Sequence, residues 1–379
     1  MTFFSVTLSR FVVPALLPLI QLGYGLSSSQ AGILVAAYWM SYAAFQLPAG
    51  LISDKFGAER TNYTACALAG VACLIGGFSQ SYVQLFMIQL VMGFAAAFVF
   101  APGAVLIFRW FEPNERASAV GLYQTGFAVA ATFAFLTAAS LASTLGPGAP
   151  FWAFGAIMII ASLFGSLALR QSHHPRWKAM SMRTSTNWDF LKNRLVWYDS
   201  LARFGCGITY LGSAAWVTSY LFHAAGFSLV QAGLVGSVMS SAGIIGYPMG
   251  GMVADRVLKK RAPVVLLGTF VLGSLAIAVA LSGSIVLASV IAFVGMGFFF
   301  GFYASSSVSI VSEFDISAET VSSATSFVNF MGQIPGVVSP ALFGFILEIS
   351  HSYSLGWILL GATTLSCSIG PALLAKRGY

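Results

Sequence analysis

The sequence predicts an all-α membrane protein of twelve transmembrane helices, arranged as two pseudo-symmetric six-helix bundles. Three observations predict it: a shortage of charge, apolar runs too long for one helix each, and a chain that repeats itself. Only 8% of the 379 residues are charged and 58% are hydrophobic, where a soluble domain carries about 25% charged residues. Such a chain cannot cover a water-facing surface, which excludes a soluble enzyme, a disordered chain and a nucleic-acid binder. The net charge of +7 comes from 18 Lys and Arg against 11 Asp and Glu, and most of the basic residues fall in loops.

A bilayer-spanning helix needs about 20 mostly apolar residues. Stretches without a charged residue run 11–53, 61–108, 117–169, 204–254 and 262–312, each 43 to 53 residues long, so each holds two helices and a short turn. Two more, 320–347 and 349–375, hold 28 and 27 residues, one helix each, with only Glu348 between them. Gly, Ser and Pro mark the turns inside hairpins, at 23–29, 79–81, 146–150 and 282–284. Spans are expected near 3–25, 30–52, 62–79, 83–108, 117–143, 150–169, 199–222, 228–253, 263–281, 285–311, 320–346 and 354–375. The first reads as a span and not a secretory signal, because its apolar run is long and no small-residue cleavage site precedes Gly25.

Charge then appears once per two spans. Lys and Arg cluster at 55–60, 109–116, 170–194, 256–261 and 376–377, which accounts for 16 of the 18, and none lies in a loop on the opposite side. The positive-inside rule makes that side cytoplasmic, with both termini inside the cell membrane. Cys66, Cys73, Cys206 and Cys367 all fall within spans, where thiols act as small apolar side chains, and the four histidines do not cluster. No disulfide, metal site or cofactor is expected.

The chain repeats at an offset of about 201 residues. Gln30-Ala31-Gly32 recurs as Gln231-Ala232-Gly233, and Gly50 and Asp54 recur as Gly251 and Asp255, each pair followed by basic residues. The domains expected from this are an N-terminal bundle (1–170), a cytoplasmic linker (171–198) and a C-terminal bundle (199–379). Two such halves point to a transporter with a site near the midplane.

Gly50-Leu-Ile-Ser-Asp54-Lys55-Phe-Gly57-Ala-Glu-Arg60 resembles the loop 2–3 motif of the major facilitator superfamily, and residues 251–261 resemble its second-half version, with Leu258 where the later glycine would stand. The resemblance covers the whole chain. It implies a gating role for Gly50, Asp54, Lys55, Gly57, Arg60, Arg116, Asp255 and Arg256. The alternative is that these residues only fix topology and cap a helix.

Three segments resemble the anion:cation symporter group and the organophosphate:phosphate antiporters. They are Tyr38-Trp39-Met-Ser-Tyr42 through Gly50 in span 2, Arg109-Trp110-Phe111 through Arg116 in loop 4–5, and Ser9-Arg10 with Pro18 in span 1. The last implies that Arg10 binds an anionic group. There are departures. Tyr210 stands where the antiporters carry a second binding arginine, Ser9 and Ala95-Ala96 where proton-coupled members carry acids, and Gln89 where many relatives have arginine. Span 5 also lacks the proline of drug/proton antiporters.

Arg10 is the sharpest candidate site residue. A cation within a span costs roughly 2.5–3.5 kcal/mol and is usually functional. It lies about 10 Å into span 1 at 1.5 Å per residue, and its guanidinium can offer several donors to a carboxylate. Alternatively it snorkels to the headgroups as an anchor. Tyr38, Tyr42 and Gln46 recur at i, i+4 and i+8 on one face of span 2. Tyr123, Gln124, Tyr210, Trp216, Tyr303, Asn329 and Gln333 are the other candidates to line a substrate path, while Gly332, Pro335-Gly336 and Pro340 offer kinks in span 11. Asp199 sits four residues before Arg203, so the two share a helix face and can pair. If that pair lines the cavity, Asp199 is the only candidate proton carrier near a span.

The function expected is secondary transport of a small organic anion, a carboxylate or sugar acid, by alternating access. The runner-up is an exporter of neutral or cationic drug-like compounds with Arg10 only an anchor. No Gly-x4-Gly-Lys-Ser/Thr loop occurs, so ATP does not drive the cycle directly. No enzyme chemistry is expected, since paired acids or an activated nucleophile within spans are missing. The near absence of acids in spans argues against proton symport. The expected partners are the solute and the bilayer, with no nucleic acid, and the chain is expected to act as a monomer.

Overall fold

The computed structural model describes residues 1–110, 116–170, 189–283, 285–316 and 318–379. The side chains of Asp54, Arg109 and Arg116, and most of the expected linker (171–188), lie outside the described residues. The described residues form helices α1 (Thr2–Tyr24), α2 (Ser28–Phe56), α3 (Ala58–Gly76), α4 (Tyr82–Trp110), α5 (Arg116–Leu145), α6 (Ala149–Arg170), α7 (Arg194–His223), α8 (Leu229–Met252), α9 (Ala262–Leu281), α10 (Val286–Ile310), α11 (Ala318–Met331), α12 (Ile334–Ser350), α13 (Tyr353–Cys367) and α14 (Ile369–Lys376).

By length and apolarity alone, nine stretches of the described residues qualify as spans, with α11–α12 and α13–α14 each counting within one stretch. The other three long helices, α2, α3 and α7, hold 29, 19 and 30 residues, and their polar side chains dilute the apolar pattern. Together these make the twelve-span fold.

Local chemistry sets the helix ends. Ser27 and Gln30 form a reciprocal capping box at the start of α2, and Ser228 and Gln231 make the same two hydrogen bonds at the start of α8, 2.9 and 3.3 Å. Gly57 separates α2 from α3 with φ +91°, a backbone few other residues adopt. Span 11 breaks at Gly332-Gln333, the expected kink. Span 12 also breaks, at Ser368 just ahead of Pro371, which the sequence reading did not anticipate. A proline four residues into a continuing helix cannot donate to the carbonyl of Cys367, which relaxes the ladder there.

Packing divides the chain into two units, Met1–Ser181 with Phe227–Ser237, and Met182–Gly226 with Val238–Tyr379. In the first, α2 packs on α4 and α3 on α6; in the second, α9 packs on α10 and on α13. α1 and α7 are buried almost all round, α7 with polar side chains such as Asp199, Arg203, Thr209 and Ser213 among those it buries.

The repeat reappears as a pair of backbone contacts. A side chain on Gly93 of α4 would run into the Tyr38 carbonyl of α2, and one on Gly297 of α10 into the Met239 carbonyl of α8. Tyr38 and Met239 are 201 positions apart, the offset of the sequence repeat. Small residues let backbones touch where apolar burial cannot drive association, because lipid is as apolar as leucine.

Candidate functional site

In the first unit the site starts from α1, which carries Arg10 two turns inside its N-terminus. The residue is only 5% exposed, so it does not snorkel out to water. Its guanidinium carbon faces four rings, 4.5 Å from the centre of Trp39, 4.7 Å from Tyr42, and 5.4 Å from both Tyr38 and Phe127. Tyr38 and Tyr42 lie one helical turn apart with near-parallel rings, as their spacing predicts, and Gln46 Nε2 donates to Tyr42 Oη at 3.2 Å.

Magnitudes explain why this cation is tolerated. Each ring contributes about 0.5–1 kcal/mol of cation–π attraction, so four offset an insertion penalty of roughly 2.5–3.5 kcal/mol. The cage holds the charge and leans on the Tyr38 and Tyr42 hydroxyls, yet leaves one guanidinium donor, Nε, without a partner. Arg10 Nε and Tyr38 Oη are buried with no hydrogen-bond partner among the described residues, and the ion pairs between described residues do not include Arg10. Among the described residues the guanidinium is thus desolvated, keeps Nε unpartnered and shares no ion pair.

Tyr123 and Gln124, the other candidates of this unit, are not among the rings that face Arg10. The Tyr123 ring stacks on Phe3 at 4.6 Å, and its hydroxyl donates to the Val99 and Phe100 carbonyls at 3.3 and 3.2 Å, so it ties α5 to α4. Gln124 is half-exposed. Gln89 is fully buried with its amide 3.5 Å from the Leu34 carbonyl, a helix-to-helix bond.

The second unit holds a separate cluster. Arg203 of α7 lies beside Tyr303 of α10 and Tyr247 of α8. The break in span 11 brings Gly332 to its side chain, placing half-exposed Asn329 and Gln333 nearby. Asp199 and Arg203 do share a face, but they are not within ion-pair contact among the described residues; Asp199 Oδ1 instead accepts from Ser307 Oγ at 2.9 Å. Tyr210 is buried and stacked on Phe300 at 3.8 Å. Trp216 is fully buried against Phe343, with its indole N–H donated to the Pro340 carbonyl at 3.1 Å. The sequence named it as a candidate to line the path, whereas its ring and its N–H are used in packing.

Of the loop residues, Lys55 and Arg60 are exposed, and Gly50 has open space beside it. In the second copy α8 passes into a π-helical turn, Val253–Leu258, containing Asp255 and Arg256. The partner of Asp255 is Arg261 at 3.0 Å, and Arg261 also pairs with Glu313. Sequence reasoning missed Trp39, Phe127, Tyr247, Ser307 and the Arg261–Glu313 pair. Tyr247 could have been found, since it lies 201 residues after Gln46.

A polytopic helical chain with a cation buried inside one of its spans has the build of a membrane transporter. The family model of the Major Facilitator Superfamily matches residues 1–340, and the chain belongs to that superfamily. It is 25% identical over 383 residues to a probable sulfoacetate transporter of Cupriavidus necator, covering 95% of this chain and 88% of that one. It is likewise 25% identical over 387 residues to the hexuronate transporter of Bacillus subtilis, covering 96% and 89%. A probable L-galactonate transporter of Escherichia coli is 21% identical, covering 93% and 82%. The fold matches a solved bacterial homologue of the human lysosomal transporter Spinster, in its inward-facing and occupied conformation, with a TM-score of 0.82 at 16% identity, covering 100% of this chain and 95% of that chain.

Proposed function

We propose that the protein moves a small organic anion, a carboxylate or sulfonate, across the cell membrane by alternating access, with Arg10 as the partner of the anionic group. One observation carries this reading: the Arg10 guanidinium is buried in four rings with an unpartnered Nε and no acid paired to it among the described residues. Relatives named for sulfoacetate, hexuronate and L-galactonate support the substrate class, since each of these small solutes carries a carboxylate. Tyr38, Trp39, Tyr42 and Gln46 orient the guanidinium and desolvate the anion. Within the second unit, Tyr303, Asn329 and Gln333 remain the polar candidates to meet a solute, whereas Tyr123, Tyr210 and Trp216 serve packing. Both termini are placed in the cytoplasm because 16 of 18 basic residues fall on that side. The loop residues Gly50, Asp54, Lys55, Gly57, Arg60, Arg116, Asp255 and Arg256 act in gating, and the monomer is the working unit.

A thermal-shift screen of the purified protein tests this, using sulfoacetate and D-glucuronate as probes. Either anion is expected to raise the melting temperature of wild type, weakly that of Arg10→Lys, and not that of Arg10→Gln. Stabilisation that survives Arg10→Gln removes Arg10 from the site.

A further inference from the structure

The second unit contains a buried acid that anion recognition at Arg10 does not use. Asp199 is fully buried on α7, and Arg203, one turn further along the same face, is 9% exposed. Asp199 Oδ1 has a single donor, Ser307 Oγ at 2.9 Å, while Asp199 Oδ2 and Arg203 Nε are both buried with no hydrogen-bond partner among the described residues. The two side chains are one helical turn apart, where Asp and Arg pair readily, yet they are not in ion-pair contact. A charged group and its natural counter-ion have been left adjacent and unjoined.

The groups around them restrict what this arrangement can do. Ser307 and Tyr303 face the pair from α10, Tyr247 from α8 and Cys206 from α7 itself, where it bonds Thr269 of α9 at 3.3 Å. Gly332, at the break after α11, abuts Arg203. On the α14 side the Arg377 guanidinium lies 5.8 Å from the Tyr198 ring and does not reach the carboxylate. Arg203 is therefore the charged neighbour of Asp199 among the described residues. An ionised carboxylate has about four acceptor sites. Leaving it buried with one of them filled and no cation in contact costs several kcal/mol. A proton on Oδ2 removes the charge, and turning Arg203 onto Oδ2 neutralises it. Either change removes the uncompensated charge within one helix turn.

We propose that Asp199 is the proton-binding residue of a proton–anion symport, and that its protonation state controls whether Arg203 is available to the substrate. With the proton on Oδ2, Arg203 keeps its hydrogen bond with Tyr303 and its unpartnered Nε can take an anionic group. When the proton leaves to water, the carboxylate draws Arg203 to itself and competes with the anion. Proton and anion binding then favour each other by equal factors, as linkage requires. One proton enters with one anion, so D-glucuronate crosses with no net charge and the dianion sulfoacetate with one net negative charge, and no bond other than O–H forms or breaks. This rests on the organic-anion reading of the function, and it reverses the expectation that a chain with so few intramembrane acids does not use protons.

Two measurements test it. The first needs no substrate: infrared pH-difference spectra of the reconstituted protein are expected to show a protonated carboxylic-acid carbonyl band that titrates, is missing in Asp199→Asn, and shifts in Ser307→Ala. If the band is absent from wild type, or unchanged in both variants, the proposal is overturned. Should Asp199→Asn not fold, the Ser307→Ala shift alone decides. The second uses sulfoacetate and D-glucuronate in proteoliposomes. An inward proton gradient should accelerate wild-type uptake of a transported anion. In Asp199→Asn that acceleration should vanish while exchange of anion against anion continues. Gradient-driven uptake in Asp199→Asn overturns the proposal. If neither anion binds wild type, the substrate reading fails while the infrared result still stands on its own.

Discussion

The guanidinium carbon of Arg10 lies 4.5 Å from the centre of the Trp39 ring, closer than to Tyr38 or Tyr42 of the same helix. The best π-face for a cation is the indole, and Trp39 sits one residue off the Tyr38–Tyr42–Gln46 row. α1 therefore meets α2 between two rows of side chains.

Trp39 should hold the guanidinium in its anion-accepting orientation. Trp39→Leu removes about 0.5–2 kcal/mol of attraction, equivalent to an affinity loss of about 2- to 30-fold, and Trp39→Phe should lose less. Thermal-shift titration with D-glucuronate measures this, and an unchanged midpoint in Trp39→Leu would refute the role.

The twin glycine contacts should be sensitive in both units. Gly93→Ala and Gly297→Ala each force a methyl group onto a partner carbonyl. Overpacking of this kind costs about 1–3 kcal/mol. Gly251→Ala is the control, since its nearest neighbour would be Ser305 at an ordinary 3.7 Å. Melting followed by tryptophan fluorescence in detergent should rank the first two well below the third.

Trp216 separates packing from binding. Trp216→Phe removes the hydrogen bond to the Pro340 carbonyl, leaving that acceptor unsatisfied at about 1–3 kcal/mol. Stability should drop while anion affinity stays at the wild-type value. A fall in affinity with unchanged stability would return Trp216 to the substrate path.

Glu313→Gln should loosen the π-helical turn without unfolding the protein. Arg261 joins Asp255 and Glu313 at a partly exposed site, where one pair adds at most about 1 kcal/mol. The melting temperature should barely move, but trypsin should cut faster after Lys259 and Lys260. Equal cutting rates would show that the pair does not restrain the turn.

The number of spans, the repeat and the burial of Arg10 were all legible in the chain, because membrane insertion depends on the run length between charges. A cation seven residues inside an apolar run has few places to go. The kink at Gly332 was legible from its neighbours Pro335 and Pro340. Even the weaker polar helices α2, α3 and α7 were found by counting charge-free runs, although mean hydropathy passes over them.

The sequence could not tell which aromatic side chains meet a ligand and which meet each other. Tyr42 and Tyr123 are both tyrosines on span helices, yet one faces a guanidinium and the other donates to backbone carbonyls. Nor could it tell that Asp199 would bond Ser307, 108 positions away, in place of Arg203 four positions away. Topology follows from transfer of each segment into lipid, a property the segment carries with it. The partner of a polar group follows from which helix faces are brought together, and that is decided only when all the faces are packed at once.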